Sequence, residues 1–316
     1  MKVCITDYGF SDIHQERQII SAAGFELLAG QCKTPEAIID MAADADALLV
    51  QWAPVNAAVI DRLKKCQVIV RYGIGVDNVD LKAAKARGIP VCNVPNYCID
   101  EVADHALAMA LSLGRQLPMV DRRLRAGVWK ITPDHHMPAF GSRTFATAGF
   151  GRIARAVLAR ARGFGCRLAA YDPYVSPEIF HSHGVAQLPL QDLFNQADVL
   201  SLHLPLTPET RHLINSATLA KMKPTAIVVN TARGGLIDTV ALVEALQAGV
   251  IASAGLDVFD PEPLPADHPL RLCSNVIITS HVGWFSDQSV PTLQRLAAEE
   301  VVRALKGEAL HNKVMI

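Results

Sequence analysis

An α/β fold of two doubly wound parallel-sheet units is what this sequence predicts, and three of its properties carry that reading. Short apolar runs alternate with helical periodicity along the chain, as expected of strands covered on both faces by helices. The runs fall into two groups, 3–6, 47–50, 68–70 and 91–93, then 144–149, 167–172, 199–203, 226–230, 253–258 and 276–280. The length of 316 residues, with 50% hydrophobic and 19% charged, suits about two cores, since single cores stop growing near roughly 250–300 residues.

In the first group, Gly73-Ile74-Gly75 follows the strand 68–70 and has the form of a turn that offers main-chain N–H groups to an anion. A helix begins near Asp80. The groups meet near 96–100, where a polar stretch gives way to E-V-A-D-H-A-L-A-M-A-L-S-L-G, a helix with Asp100 as its expected N-cap, His105 along it and Gly114 at its end.

Gly149-x-Gly151-x-x-Ala154 comes next, between a strand and the helical segment 152–162. The first glycine makes a tight turn, and the second removes a Cβ so that N–H groups at a helix start reach a pyrophosphate. Ala154 stands at the third position, which takes either glycine or alanine. Asp172 ends the following strand, where a carboxylate accepts from ribose hydroxyls and repels a 2'-phosphate, so NAD is favoured over NADP. The plainer reading of Asp172 is an Asx turn before Pro173. The last helix, 289–306, carries Leu293, Leu296, Ala297, Val301, Ala304 and Leu305 on one stripe, with Gly307 placed as its C-terminal cap.

A formal net charge of −1 provides no basic field for nucleic acid or an anionic membrane surface, which leaves a small molecule as the expected partner. Seven cysteines, odd in number and without a C-x-x-C, suit a reducing compartment. No run approaches the ~18 apolar residues of a membrane span, and the N-terminus enters a strand-like segment without an apolar leader, so a cytoplasmic protein is expected. His135-His136 and His181-x-His183 lack a third ligand at recognisable spacing, and no metal is expected.

Arg233 in N-T-A-R-G-G, Glu262 in D-V-F-D-P-E-P and His281 in T-S-H-V-G-W follow at strand ends, where open α/β sheets bind ligands. Each alone reads as a surface charge, a solvated loop acid or a core histidine. Together they match what reduction of a 2-oxo acid requires beyond a hydride. The imidazole of His281 can give a proton or take it back. Glu262 can orient that ring and stabilise its cation. Arg233 can bind the substrate carboxylate through two hydrogen bonds and polarise the carbonyl.

With G-F-G-R-I (149–153) and R-Y-G-I-G-V-D-N-V-D (71–80), these segments resemble the D-isomer-specific 2-hydroxyacid dehydrogenases, in the family's order and over most of the chain. The resemblance implies a Rossmann nucleotide domain at 100–287, inserted in a flavodoxin-like substrate domain formed by 1–99 plus 288–316, with the site in the cleft between them. It implies NAD as cofactor and a homodimer joined through the nucleotide domains by the helix and arm near 101–140. Cofactor contacts are expected from Gly149, Gly151, Arg152, Ile153, Asp172, His203, Pro205, Thr231, Ala232, Asp257 and Gly283. Substrate contacts are expected from Tyr72, Gly73, Ile74, Gly75, Arg233 and Trp284.

H-x-x-W followed by F-S-D-Q is similar to the C-terminal-binding-protein branch, in which such a tryptophan contacts the tail of a 4-methylthio-2-oxobutyrate-like substrate. That implies an apolar or thioether side chain on the acid, and it makes an NADH-responsive scaffold the alternative to turnover. Another substrate to weigh is 3-phosphoglycerate; the absence of a basic residue in 51–54 counts against it. Glutamate at 262, where formate dehydrogenases of the superfamily have glutamine, speaks against formate.

Overall fold

The computed structural model describes residues 1–132 and 136–315, and the chain divides into two units, Met1–Cys98 with the segment from Phe285 onward, and Ile99–Trp284. Unit 1 begins with β1 (Lys2–Ile5), α1 (His14–Ala22), β2 (Glu26–Ala29), α2 (Pro35–Ala42), β3 (Ala47–Val50), α3 (Ala57–Arg62), β4 (Val68–Arg71), α4 (Leu81–Ala86) and β5 (Val91–Cys92). Its strands are all parallel in the order β2-β1-β3-β4-β5, the flavodoxin-like order with a switch point between β1 and β3. Every residue of β3 and β4 is buried, which is why β3 and the first three residues of β4 read as unbroken apolar runs. The side chains of Thr34, Asn56 and Asp80 cap α2, α3 and α4 by accepting from main-chain N–H groups.

Unit 2 contains α5 (Ile99–Gly114), α6 (Leu117–Arg125), β6 (Thr144–Ala148), α7 (Arg152–Arg162), β7 (Arg167–Tyr171), α8 (Pro177–Ser182), β8 (Ala186–Gln187), α9 (Leu190–Gln196), β9 (Val199–Leu202), α10 (Ser216–Leu219), β10 (Ile227–Asn230), α11 (Thr239–Gln247), β11 (Ser253–Leu256) and β12 (Val276–Ile278). The seven strands are parallel in the order β12-β11-β10-β9-β6-β7-β8. The chain moves outward from β6 to β8 and then returns to lay β9 beside β6. That reversal is the Rossmann switch point, and it opens a crevice at the carboxyl ends of β6 and β9. α5 already includes Ile99, so Asp100 lies in its first turn instead of capping it.

The last helix, α12 (Ser289–Leu305), belongs to unit 1 and packs on α1, β3 and β4. Leu293, Ala297, Val301 and Leu305 form its buried stripe, and Gly307 follows at φ +72°, where glycine is free of the Cβ penalty. Two strands escaped the sequence reading. β2 is half exposed at one edge, and β8 is an exposed pair of residues at another. Among the described residues no helix is long and apolar enough to cross a membrane.

Candidate active site

β6 runs directly into the Gly149 turn, and α7 opens at Arg152. Gly149 sits at φ +96°, and a Cβ there would lie 2.6 Å from the carbonyl oxygen of His203, so glycine is what lets the ends of β6 and β9 come so close. At Gly151 an added Cβ would meet nothing within 4 Å, and no side chain caps α7. The first N–H groups of that helix are therefore left for an anion in open space. Phe150 anchors the turn from below, stacked on Phe180 with ring centroids 4.3 Å apart.

Asp172 joins this turn: Oδ2 accepts from Phe150 N at 2.9 Å while Oδ1 accepts from Tyr174 N at 3.0 Å. The Asx turn and the acid beside the glycines thus coexist, and each oxygen keeps a lone pair for a ribose hydroxyl. Thr231 contributes a buried hydroxyl with no hydrogen-bond partner among the described residues. A capless helix start, an open space at Gly151, an acid at the turn and an orphaned hydroxyl fit a bound dinucleotide. Of the other expected contacts, Arg152 and Pro205 are exposed and Ile153 and Ala232 part-buried. Burial pushes the His203 imidazole down to about 3, so it is neutral, with Nε2 2.9 Å from Ser201 Oγ.

The proposed catalytic trio gathers at the ends of β10, β11 and β12. Asn230 ties the first loop by accepting from Ala232 N and donating to the Arg233 carbonyl. The glycine after Arg233 has a local cause: a Cβ on Gly234 would come within 1.9 Å of the Phe259 carbonyl carbon, so this loop packs main chain to main chain on the one bearing Glu262. Glu262 Oε1 accepts from Phe259 N at 2.8 Å, and Oε2 lies 2.9 Å from His281 Nδ1. Since a carboxylate only accepts, Nδ1 carries the proton in this pair. Burial opposes the Glu262 charge, but the His281 hydrogen bond, the His281 and Arg233 charges and the Phe259 N–H together hold its carboxyl below the usual range.

His281 adopts φ +55°, an unusual conformation for a residue with a Cβ, and both of its main-chain groups are fixed. Its N–H donates to the Asp257 carbonyl at 2.8 Å, and its carbonyl accepts from Trp284 Nε1 at 2.8 Å. Asp257, expected at the cofactor, uses its buried carboxylate to hold this loop, accepting from Thr279 Oγ1, Val282 N and Gly283 N. A Cβ on Gly283 would stand 2.9 Å from Asp257 Oδ2, which explains glycine there. His105, on α5, joins the cluster with Nε2 3.0 Å from Thr279 Oγ1 and 3.5 Å from Asp257 Oδ1. The sequence places His105 on this helix but assigns it no role, because only the tertiary fold brings α5 to β12.

Unit 1 carries the other expected site, at the end of β4. Tyr72 is 1% exposed, its hydroxyl donates to Glu16 at 2.9 Å and its N–H donates to the Val50 carbonyl at 2.8 Å, which corrects its expected contact with substrate. Gly73 N is also engaged, donating to the Arg71 carbonyl, whereas the N–H groups of Ile74 and Gly75 make no hydrogen bond among the described residues. The sequence reading passed over Arg71. Its guanidinium lies over the Trp52 ring at 5.3 Å, and a Cβ on Gly73 would be 1.6 Å from its Nη1. The segment 51–54 therefore has a cation beside it after all, delivered by the neighbouring strand.

His183 Nδ1 is 2.8 Å from the Ile179 carbonyl, a local tie within its own turn, and His135 lies outside the described residues.

Comparison with known proteins agrees with this geometry. Residues 107–283 match the NAD binding domain of the D-isomer specific 2-hydroxyacid dehydrogenases. D-3-phosphoglycerate dehydrogenase of Mycobacterium leprae is 43% identical over 274 residues, covering 86% of this chain and 52% of the relative. Glyoxylate reductase of Korarchaeum cryptofilum is 39% identical over 282 residues, 88% of this chain and 85% of that one. Among solved structures, D-lactate dehydrogenase from Escherichia coli aligns over 100% of both chains with a TM-score of 0.83 and 32% identity. The chain spans about half the length of the phosphoglycerate dehydrogenases it matches. The motifs, the two sheets and these matches agree: the chain belongs to the D-isomer specific 2-hydroxyacid dehydrogenase family, its residues 107–283 matching the family's NAD binding domain.

Proposed function

We propose that the chain is an NAD-dependent D-2-hydroxyacid dehydrogenase that interconverts a small 2-oxo acid and its 2-hydroxy acid. The observation that carries this reading is the pairing of Glu262 with His281, within range of the Arg233 charge, at the carboxyl end of the sheet that bears the dinucleotide turn. Gly149, Gly151, Arg152, Ile153, Asp172, Thr231 and the neutral His203 would hold NAD, which supplies or accepts the hydride when bound. Arg233 binds the substrate carboxylate and polarises the adjacent carbonyl. His281 Nε2 holds the proton given to the carbonyl oxygen in reduction and receives it back in oxidation. Glu262 fixes the ring through Nδ1, and Asp257 fixes the loop beneath it. Unit 1 serves as the substrate domain, with the N–H groups of Ile74 and Gly75 as its candidate anion donors. A panel of 2-oxo acids followed by NADH oxidation tests the reading, with NADPH run alongside. Turnover with none of them would leave the NADH-responsive scaffold.

The substrate side chain has two readings. Trp284, with its indole N–H held by His281, offers a fixed apolar face and favours an aliphatic or thioether tail. Arg71 over Trp52 favours instead a second anionic group, as in 3-phosphoglycerate. Comparing kcat/KM for 4-methylthio-2-oxobutyrate and for 3-phosphoglycerate in the reverse direction decides between them.

The assembly is proposed to be a homodimer through α6 and the chain after it. None of the α6 residues is buried, its Leu117, Val120 and Leu124 are exposed together, and Trp129 beyond it is 79% exposed. Mass measured by light scattering on the wild type and on Trp129→Glu checks this. Seven free thiols fit the cytoplasm as the place where the protein works.

A further inference from the structure

We propose that unit 2 has a second binding site, for a carboxylate with an apolar body, in a cavity centred on Arg143 at the amino ends of its strands. The cavity is about 660 Å³, within the roughly 300–1,000 Å³ typical of small-ligand pockets. Arg143 before β6, Thr225 before β10, Ser253 at the start of β11 and Asn275 before β12 all line it. It therefore opens at the edge of the sheet opposite to Arg233, Glu262 and His281.

Arg143 is what calls for a ligand. Its side chain is buried, the residue being 4% exposed, and Nε and Nη1 have no hydrogen-bond partner among the described residues. Buried donors without acceptors carry their full desolvation penalty, and a guanidinium does so with its charge as well. Asp198 is close enough to support that charge, yet it accepts from Lys223 Nζ at 2.8 Å through Oδ1 and from Thr144 N at 2.8 Å through Oδ2, and it reaches neither Nε nor Nη1 of Arg143. Two cations thus face one carboxylate, and among the described residues one positive charge is left without its own counter-ion. Burial draws Arg143 below the ordinary arginine range, with Asp198 and Cys166 opposing it.

The walls decide the class of anion. Leu113, Met119, Ile227, Leu246 and Ile251 surround the arginine, so a bare inorganic anion would leave apolar surface wet, while a carboxylate on a hydrocarbon chain matches both parts. The cavity is separate from the proposed dimer face. On α6 the cavity takes Met119, whereas Leu117, Val120 and Leu124 lie roughly 100–160° away around the helix at its ~100° per residue.

Sodium octanoate, with octan-1-ol as its uncharged control, tests this by calorimetry and thermal unfolding on the intact protein. Octanoate is expected to bind once per chain and raise Tm by a few degrees at about ten times its Kd. Octan-1-ol should bind at least about tenfold more weakly, as should octanoate to Arg143→Met. Arg143→Met should melt higher than wild type without ligand, because an unpaired buried charge is gone, and should keep its kcat and KM for a 2-oxo acid. Arg233→Ala should retain octanoate binding, which separates this cavity from the active site. Equal binding of octanoate and octan-1-ol to the wild type overturns the proposal even if no variant folds. So does saturable binding that Arg143→Met leaves unchanged. Absence of binding, with Arg143→Met altering dimer dissociation instead, overturns it in favour of a subunit contact.

Discussion

The two edges of the unit 2 sheet hold the same kinds of side chain and treat them in opposite ways. At the carboxyl edge charges are matched: Glu262 bonds to His281 and feels the Arg233 charge, and Asp257 is surrounded by donors. At the amino edge, Arg143 is buried with donors left open. The first arrangement holds groups in fixed positions before a substrate arrives. The second leaves a vacancy in the electrostatics that a ligand can fill. Pre-organised pairing is what catalysis needs, since groups already oriented have nothing to reorganise during the reaction.

If pairing at the carboxyl edge serves chemistry, breaking it should abolish turnover without unfolding the unit. His281→Ala should lower kcat by about 10²–10⁴-fold, as expected for loss of a general acid, with NADH affinity unchanged by fluorescence titration. Arg233→Ala should lower kcat/KM for the 2-oxo acid by about 10²–10³-fold, and steady-state kinetics should show KM rising as well. Glu262→Gln should have a smaller effect, about tenfold in kcat, because a charge-assisted hydrogen bond is replaced by a neutral one.

The acid stability of the fold sharpens the contrast between paired and unpaired groups. The folded-state pKa of Glu262 is depressed, so its contribution to stability is present above the ordinary carboxyl value of 4.5 and is lost as pH falls through the folded value. Denaturant melts should therefore show Glu262→Gln less stable than wild type at neutral pH and closer to it in acid. His203 lacks a charged partner. Folded, it binds a proton more weakly than unfolded, so stability is full above about 6.5 and declines as pH drops toward about 3. His203→Gln should flatten that part of the profile, the smallest of these effects.

How much of this was readable from residues alone follows the same division. β3, β4 and the central strands of unit 2 stood out because burial on both faces demands unbroken apolar runs. β2 and β8 did not, since an edge strand can be half solvated and carries no such pattern. The Gly149 turn, Arg233, Glu262 and His281 were legible because each sits in a local motif whose glycines or acids mark a strand end. Arg71 over Trp52, His105 behind Asp257 and the open donors of Arg143 were not. Their meaning comes from neighbours tens to hundreds of residues away, and no spacing rule encodes that.

A single-turnover experiment bears most directly on the joint role of Glu262, His281 and Arg233. Protein loaded with NADH is mixed with the best 2-oxo acid of the panel, and both NADH loss and the chirality of the product are read. The wild type should consume one NADH per site and yield the D-2-hydroxy acid, while His281→Ala should bind NADH equally and show no fast phase. NADH consumption by His281→Ala at the wild-type rate, or an L-product from the wild type, would contradict the account.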